Sequence, residues 1–384
     1  MRCEWRNLIS LEYGKPVQDK ESTDGPVPVF GTNGKIGTSH LPPHCPHASF
    51  ILGRKGAYRG VHYSDVPFSV IDTAFYAKNL TPDKLSLKWA YYKFLTYDIN
   101  SMDSGSAIPS TDRYEIYAIE VELPTLDEQL NAIRLLEALD NKIELNRRIH
   151  ENLERQAQAV FQHLFVDNAL SEWREGTISD LGTVVGGSTP SKTRAEYYTE
   201  KGIAWITPKD LSINKSKFIA RGEHDITELG LKNSSAALMP AGTVLFSSRA
   251  PIGYIAIADG EVTTNQGFKS VVPKPEIGTA YVYYFLKQNL PAIEGMASGS
   301  TFKEVSGAVM KSVPAQIPDD ETLAKFNDFC GPLFAQQKRL EQESRSLAAL
   351  RDILLPRLMA GKIDLSAAPH ETAEASFDRA GKEE

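Results

Sequence analysis

The stretch MDSGSAIPSTDRYEIYAIEVELPTLDEQ, residues 102–129, decides the fold because the chain contains a second version of it. Residues 296–323 read MASGSTFKEVSGAVMKSVPAQIPDDETL, with the same methionine, Ser-Gly-Ser and final proline at the same distances. One offset of 194 residues joins three matched pairs, which are Met102 with Met296, Gly105 with Gly299, and Pro124 with Pro318. A shared offset over a few residues arises easily by chance, so its extent along the chain matters.

The correspondence continues on both sides of this stretch. Downstream, the same offset pairs three leucines with leucines, which are Leu139 with Leu333, Leu153 with Leu347, and Leu164 with Leu358. Upstream, with small gaps, DTAF at 72–75 matches NQGF at 265–268. We interpret the chain as a tandem duplication of a unit of roughly 170 to 195 residues, far longer than the repeats of solenoid proteins. Two homologous domains are therefore predicted.

Length and composition agree with two domains. The chain has 384 residues, of which 41% are hydrophobic, enough to form two cores. No apolar run approaches the ~20 residues of a membrane span, and the first residues lack the apolar segment of a signal peptide. The three cysteines are scattered, which argues against a disulfide framework or a thiolate zinc site. We expect a cytoplasmic protein.

Two kinds of sequence alternate along the chain. Residues 1–122 and 173–318 contain short β-branched and aromatic runs bounded by glycine and proline, which is typical of strands. Two helices are predicted among them, LSLKWAYYKFLT in the first copy and TAYVYYFLKQNL in the second. Each of these two segments is predicted to be a mixed α/β (α+β) domain.

The segments 123–172 and 319–366 have the composition of long helices. Each begins after a proline, with acidic and hydroxyl residues in the first turn, where the helix dipole favours them. Leucines then recur every seven residues in the second segment, at 333, 340, 347 and 354, and the matching seam of the first segment has Leu139, Asn146, Leu153 and Val160 at the same spacing. Because a heptad seam requires a partner helix, the two segments are predicted to pair as an antiparallel coiled coil that separates the domains. The polar tail, 367–384, is predicted to be disordered.

The sequence contains no catalytic motif. It lacks a phosphate-binding GxxxxGK[ST] loop, an HExxH metal motif and a GxSxG nucleophile elbow. His40, His44, Cys45 and His47 cluster in HLPPHCPH, but the second copy has no counterpart, so a proline-rich loop is the favoured interpretation. No catalytic residue, metal site or cofactor of this chain is predicted.

A duplicated pair of non-catalytic domains on a spacer is suited to reading a target in two halves. The net charge of −7 is unusual for a nucleic-acid-binding protein, but it is unevenly distributed. Residues 1–122 hold 13 basic and 14 acidic residues, and residues 173–318 hold 15 and 13. The remaining residues, which are the helical segments and the tail, hold 14 and 22. The acidity therefore lies outside the domains, which is compatible with DNA binding without requiring it.

Several segments together resemble the specificity (S) subunit of Type I restriction-modification systems. They are LPTLDEQLNAIRLLEALDNKIELNRR at 123–148, GSTPSKTRAEYYTEKGIAWITPKDL at 187–211, LFSSRAPIGYIAIA at 245–258, TNQGFKS at 264–270 and LLPRLMAGKIDL at 354–365. The resemblance covers residues 1–366 and implies two target-recognition domains, each reading one half of a split site in double-stranded DNA. The first copy has ILGRKGAYRG where the second has LFSSRAPIG, so the two half-sites are expected to differ.

The resemblance also implies partners. Two modification (methyltransferase) subunits would dock on the helices and transfer a methyl group from S-adenosylmethionine to adenine. Restriction (translocase and nuclease) subunits would add ATP- and Mg-dependent translocation and cleavage. The chain itself would be the recognition subunit of this assembly, without a cofactor of its own and without a membrane partner.

Polar residues in the loops of the two domains are the candidate DNA contacts. Arginine can pair with guanine, lysine with phosphate, and the amides of asparagine and glutamine with adenine, while small hydroxyl residues can approach the phosphate backbone. In the first domain the candidates are Lys15, Lys35, Arg54, Lys55, Tyr58, Arg59, Ser104 and Ser106. In the second they are Lys192, Arg194, Lys209, Arg249, Asn265, Gln266, Lys269, Ser298, Ser300, Thr301 and Lys303.

Three other functions remain alternatives to DNA recognition within a restriction-modification complex. A self-contained methyltransferase or nuclease is opposed by the missing catalytic motifs. A two-headed adaptor that binds protein is permitted by the nearly neutral domains. A specificity subunit of a methylation-only system would have the same sequence features, and the neighbouring genes would distinguish it.

Overall fold

The computed structural model describes residues 1–102, 109–299, 303–363 and 365. Its internal contacts divide the chain into two compact units. The first unit comprises Met1–Ile143 with Ser346–Glu384, and the second comprises Glu144–Arg345. Among the described residues, no helix is both long and apolar enough to cross a membrane.

Among its described residues, the first unit contains nine strands and helix α1 (Leu87–Phe94). The strands are β1 (Arg2–Glu4), β2 (Ile9–Tyr13), β3 (Val27–Gly31), β4 (Gly34–Ser39), β5 (Ser49–Gly53), β6 (Val61–Ser64), β7 (Ser69–Val70), β8 (Ala74–Asn79) and β9 (Glu120–Glu122). A short helix, α2 (Arg113–Ala118), and two 3-10 turns, Trp5–Asn7 and Ile99–Ser101, complete this part. The antiparallel sheet β2-β8-β5-β6 is its main layer, accompanied by the sheet β4-β3-β7 and the pair β1-β9.

Aromatic side chains fill the core of the first unit. The apolar run SFILG forms β5, which is buried along its whole length. Helix α1 buries Trp89 and Phe94 against this layer, and the rings of Trp5 and Phe94 lie 4.7 Å apart. Leu136 and Leu358, from the two long helices, belong to the same core. The helical segments are therefore integral to the packing of this unit.

The second unit contains eleven strands in its described ranges, 144–299 and 303–345. They are β10 (Arg174–Thr177), β11 (Gly182–Gly186), β12 (Tyr198–Thr199), β13 (Ile203–Ile206), β14 (Phe218–Ile219), β15 (His224–Ile226), β16 (Val244–Ser248), β17 (Ile252–Ala258), β18 (Val262–Thr264), β19 (Lys269–Pro273) and β20 (Pro314–Ile317). Its shorter helices are α4 (Ile178–Leu181), α5 (Pro208–Ile213), α6 (Glu228–Lys232), α7 (Thr279–Gln288), α8 (Leu290–Gly295) and α9 (Gly307–Ser312), with a 3-10 turn at Ala195–Tyr197.

The sheets of the second unit have the strand order of the first. The sheet β11-β19-β16-β17-β14 repeats the order β2-β8-β5-β6 and adds one strand at its edge. The sheet β12-β15-β13-β18 contains a parallel pair, β13 with β18, as β3 is parallel to β7 in the first unit. Helices predicted from LSLKWAYYKFLT and TAYVYYFLKQNL are confirmed as α1 and α7. The prediction of mixed α/β domains is confirmed for both copies.

Two long helices carry the heptads. Helix α3 is Leu126–Gln162, followed by a π-helical turn at His163–Asp167, and α10 is Asp320–Met359. Helix α10 is continuous although Pro332 and Pro356 lie within it. In the second unit, Asn146 donates to Glu343 over 2.9 Å, Gln337 donates to the carbonyl of His150 over 3.2 Å, and the rings of Phe161 and Phe326 lie 5.8 Å apart. Later residues of α3 thus meet earlier residues of α10, so these parts run antiparallel.

A buried charge cluster joins the helices to the sheet layer of the second unit. The side chain of Lys217 is 3% exposed, and its Nζ donates to Glu154 over 2.7 Å, to Gln337 over 3.0 Å and to the Tyr284 hydroxyl over 3.1 Å. Burial lowers the pKa of Lys217 to about 8 against the attraction of Glu154. Burial alone would raise the pKa of Glu154, but Lys217 and Lys287 lower it to about 2. Glu154 is therefore ionised in the folded protein.

Candidate nucleic-acid interface

A groove in the second unit brings together five of the residues predicted to contact DNA. The groove encloses about 520 Å³ and lies where β13 leads into α5, beside the turn after β16 and the loop before β19. The predicted residues that line it are Lys192, Lys209, Arg249, Asn265 and Gln266. Thr189, Trp205, Thr207, Glu223 and His224 also line it and were not predicted from the sequence.

Local hydrogen bonds fix the backbone around this groove. Thr207 and Asp210 form a capping box at the start of α5, in which the Asp210 carboxylate accepts from the Thr207 backbone N–H over 2.7 Å. Asn265 Oδ1 accepts from the backbone N–H of Gly267 over 2.9 Å, which closes the turn before β19. The Gln266 side chain, on the exposed tip of that turn, accepts a hydrogen bond from the Thr189 hydroxyl. These bonds hold the amide and hydroxyl groups in place along one wall.

The backbone approaches closely at Gly187, on the same wall. A Cβ atom at this position would lie 2.0 Å from the carbonyl oxygen of Asn265. No side chain can occupy that space without moving the turn. The glycine of the GST motif therefore allows the chain before Thr189 to pack against the loop that carries Asn265 and Gln266.

Carboxylates hold several of the cations of the second unit. Lys209 donates to Glu223 over 2.6 Å, and this hydrogen bond raises the pKa of Lys209 and lowers that of Glu223. Glu304 lies 3.5 Å from Arg249 and 3.4 Å from Lys269. Arg194 pairs with Glu196 over 3.3 Å on the exposed surface. Exposed ion pairs of this kind contribute little stability, so a stronger anion can exchange for the carboxylate.

A second cavity continues from Arg249. It encloses about 630 Å³ and is lined by Arg249, Ala250, Lys303 and Glu304 among others. Ser298 lies opposite Glu304, and the two residues exchange backbone hydrogen bonds of 3.1 and 2.9 Å. The structure thus gathers Arg249, Lys269, Ser298 and Lys303 around Glu304, whose carboxylate faces Arg249 and Lys269. Ser300 and Thr301 lie outside the described residues.

In the first unit, the predicted residues concentrate in the loop after β5. The Arg54 backbone N–H donates to Thr73 over 2.9 Å, and its carbonyl accepts from Thr111 over 2.8 Å. Lys55 lies 3.7 Å from the Asp72 carboxylate, and its carbonyl accepts from the Thr32 hydroxyl over 2.8 Å. The Tyr58 side chain is 63% exposed. The loop is thus anchored at its start and open at its tip.

The two predicted lysines outside this loop are exposed on neighbouring segments. Lys15 follows β2, and its backbone N–H donates to Val70 over 2.8 Å. Lys35 belongs to the β3–β4 hairpin, the same hairpin that carries Thr32. Ser104 and Ser106 lie outside the described residues.

The interpretation of Arg59 as a surface residue is wrong. Arg59 is 2% exposed, and its Nη2 donates to the carbonyls of Ile99, Asn100 and Met102 over 3.3, 2.7 and 3.2 Å. The backbone of Arg59 also donates to the Asn100 side chain over 2.7 Å. Arg59 therefore stabilises the turn after α1 from inside the unit, where DNA has no access to it.

Sequence reasoning missed an aromatic and basic cluster beside Arg54. The guanidinium of Arg54 lies 4.8 Å from the ring centre of Tyr13, and that of Arg113 lies 4.9 Å from the same centre. Tyr114 is 62% exposed next to Arg113. Their positions in the sequence are about 40 to 100 residues apart, so only the antiparallel pairing of β2, β8 and β5 brings them together. The second copy has GAVMK where the first has RYEIY, so the duplication gave no signal for this cluster.

The donor set of these surfaces suits hydrogen bonding and charge neutralisation. Guanidinium, ammonium, amide and hydroxyl groups can bind base edges and phosphates. Within the described ranges, no three His, Cys, Asp or Glu side chains form a metal-binding group. In the histidine-rich loop, Cys45 instead donates to the carbonyl of His47, and burial raises the pKa of its thiol.

Known proteins share the sequence and the fold of this chain. Residues 16–155 and 170–343 each match the family described as the Type I restriction modification DNA specificity domain. The MjaIX specificity subunit of a Type I restriction enzyme from Methanocaldococcus jannaschii is 41% identical over 171 residues. That match covers 44% of this chain and 39% of the relative, so it spans about two fifths of the relative's length.

Two further proteins are similar over more of the chain. The HindI specificity subunit of a Type I restriction enzyme from Haemophilus influenzae is 23% identical over 323 residues, covering 65% of this chain and 70% of that protein. The crystal structure of a Type-I restriction-modification system S subunit from M. genitalium matches in fold, with a TM-score of 0.60 and 16% identity, over 93% of this chain and 95% of that one. The family's domain occurs twice in this chain, and the two matches together cover most of the chain's length. This chain therefore belongs to the Type I restriction modification DNA specificity domain family.

Proposed function

We propose that this chain is the non-catalytic, sequence-specific DNA-binding subunit of a Type I restriction-modification complex. The family's domain occurs twice, and each copy carries a basic loop directly after an equivalent strand, β5 in the first unit and β16 in the second. Two reading surfaces in one chain suit a target of two halves. Each domain would read one half-site.

The helices supply the spacer in this proposal. The recognition domains are 1–122 and 173–318, and the segments 123–172 and 319–366 form the antiparallel coiled coil that separates them. The antiparallel contacts of α3 and α10 in the second unit support the pairing. The shared strand order of the two units supports a tandem duplication with pseudo-twofold symmetry.

Catalysis in this proposal belongs to partner subunits. Two modification subunits would dock on the helices and methylate adenine with S-adenosylmethionine, and restriction subunits would cleave DNA with ATP and Mg. The relatives are named as specificity subunits of Type I restriction enzymes, which supports this division of tasks. The role of this chain is to set where the partners act.

The groove of the second unit is the proposed reading surface of that domain. Arg249 and Gln266 have the side chains that recognise guanine and adenine in the major groove. Lys192, Lys209 and Lys303 would bind phosphates, with Lys209 leaving Glu223 and Arg249 leaving Glu304 as DNA binds. Exchange of a carboxylate for a phosphate keeps Lys209 and Arg249 paired with an anion in both states.

Sequencing of methylated adenines in the host tests the proposal. Deleting the gene should abolish methylation at one bipartite motif, because no other subunit would recognise it. A gene that carries Arg249→Ala should weaken or relax one half of the motif and leave the other half unchanged. A methylome that is identical with and without the gene would refute the proposed function, and relaxation of both halves would refute one domain per half-site.

A further inference from the structure

Two arginines of the first unit share one aromatic ring. The guanidinium carbons of Arg54 and Arg113 lie 4.8 and 4.9 Å from the ring centre of Tyr13, within the range of cation–π attraction. The two guanidinium groups are therefore no more than about 10 Å apart, given these two distances. The Tyr13 side chain itself is 45% exposed, so the cluster faces solvent.

Backbone hydrogen bonds hold together the segments that carry these three side chains. Tyr13 ends β2 and pairs with Phe75 of β8. Thr73, two residues before Phe75, accepts from the Arg54 N–H over 2.9 Å. The Arg54 carbonyl accepts from the backbone N–H of Thr111 over 2.8 Å, and Thr111 lies two residues before Arg113. The cluster is thus assembled before any ligand binds, which reduces the entropy that binding would cost.

Within the described parts of the chain, no carboxylate pairs with the positive charges of the cluster. Arg54 donates to the carbonyl oxygen of Asp72 over 2.9 Å, while the carboxylate of Asp72 lies 3.7 Å from Lys55. Arg113 donates to the Tyr114 hydroxyl over 3.3 Å, and its buried Nε has no partner in the described parts of the chain. Two like charges on one ring create a site for an anion.

The second unit lacks this cluster at the equivalent positions. Ser248 makes the backbone bonds of Arg54, donating to Gly267 over 2.7 Å and accepting from Val305 over 3.0 Å. Gly186, paired with Lys269, ends β11 where Tyr13 ends β2, and Gly307 begins α9 as Arg113 begins α2. The two units share this backbone arrangement, but the second unit has none of the three side chains at the equivalent positions. The cluster is therefore a property of the first domain and is not required by the fold.

We propose that Tyr13, Arg54 and Arg113 form a clamp for a backbone phosphate of double-stranded DNA, which anchors the first domain on its half-site. The clamp rests on the proposed function. Two guanidinium groups can each donate to the oxygens of one phosphate, while their contact with the Tyr13 ring limits their motion. A phosphate contact is independent of base sequence, so the clamp contributes affinity and register and leaves base recognition to other residues.

The test measures DNA binding against salt concentration, with the complex purified through a tag on the full-length chain. The probes are a duplex with the methylated motif and a scrambled duplex of equal length and composition. Arg113→Gln should weaken binding to both duplexes by the same factor, about five- to tenfold, and reduce the slope of log affinity against log salt by about one. Arg113→Lys should restore most of the slope because it restores the charge. Tyr13→Leu should weaken binding as Arg113→Gln does, and Tyr13→Phe should not.

Arg2→Gln is the matched control, since Arg2 is an exposed arginine of the same unit that pairs with Glu120. It should change neither the affinity nor the slope. Loss of preference at one base pair with an unchanged slope would overturn the clamp and make Arg113 a base-reading residue. Wild-type affinity and slope in both Arg113→Gln and Tyr13→Leu would also overturn it. A wild-type complex that does not prefer the motif over the scrambled duplex would refute the proposed function. The clamp could still be tested in that case, because the slope of log affinity against log salt can be measured on either duplex.

Discussion

At the scale of single residues, the position of a cation relative to the core decides its role. Arg54, Arg59 and Arg249 all lie in loops that begin where a buried strand ends, and sequence alone gives them the same interpretation. Arg59 turns inward because three carbonyls of the segment 99–102 converge on it. That segment is about 40 residues away in the sequence, and no local pattern predicts its contact with Arg59. Arg54 and Arg249 remain on the surface.

Burial gives Arg59 a structural role that can be measured. Arg59→Ala would leave the carbonyls of Ile99, Asn100 and Met102 without their donor, so we expect the free energy of unfolding to fall by about 3 kcal/mol. Chemical denaturation of the full-length chain measures the change. Arg6→Ala, which removes an exposed arginine paired with Glu4, should cost less than about 1 kcal/mol. Unchanged stability of Arg59→Ala together with weaker DNA binding would contradict the structural role.

At the scale of elements, heptads and strand patterns predicted most of the frame. The leucine seams predicted α3 and α10, and the apolar runs around glycine and proline predicted strands within 1–122 and 173–318, among which are β5, β8, β16 and β19. Buried polar contacts were not predictable in the same way. Lys217 is the last residue of a polar stretch, NKSK, that is typical of an exposed loop, yet it lies among Glu154, Tyr284 and Gln337. Residues more than 60 positions away determine its burial.

The charge cluster at Lys217 should make the second unit sensitive to acid. Folded Glu154 binds a proton only near pH 2, whereas an unfolded glutamate does so near 4.5. Between these values the unfolded state binds more protons, so the stability that Glu154 supplies is complete above pH 4.5 and is lost as the pH falls toward 2. Its full size is about 3 kcal/mol.

Glu154→Gln isolates this contribution. The variant should be about 3 kcal/mol less stable than the wild type at pH 7, and the difference should shrink as the pH is lowered from 4.5. Denaturant unfolding at several pH values measures it. The double variant Lys217→Met with Glu154→Leu, which removes both charges, should be more stable at pH 7 than Glu154→Gln. A difference that stays constant down to pH 3 would show that the pair does not control the acid response.

At the scale of the whole molecule, the duplication predicted two copies of one domain, and the family match and the strand orders agree with it. The surfaces that differ between the copies were harder to predict. The frame is encoded by apolar periodicity, which sequence displays directly. The binding surfaces depend on side chains from several separate segments, such as Tyr13, Arg54 and Arg113, whose meeting follows only from strand pairing.

Lengthening the helices tests whether they act as the proposed spacer. Seven residues inserted after Arg147, with seven inserted after Glu341, preserve both heptad seams and add about 10 Å of helix. The distance between the two halves of the methylated motif should grow by roughly three base pairs, while the half-site sequences stay the same. The host methylome before and after insertion provides the measurement. Retained methylation with an unchanged distance would mean that the helices do not set the spacing.

The division of the chain into units has a consequence for biosynthesis. The second unit, Glu144–Arg345, is one uninterrupted segment, whereas the first requires residues from both ends of the chain. On the ribosome, the first 143 residues emerge early but cannot complete their core, because Leu354, Leu355 and Leu358 have not yet been synthesised. The later unit can therefore finish folding first. A ribosome that stops after Arg345 would release a chain whose second domain is complete and whose first domain still exposes apolar side chains, a substrate for chaperones and proteases.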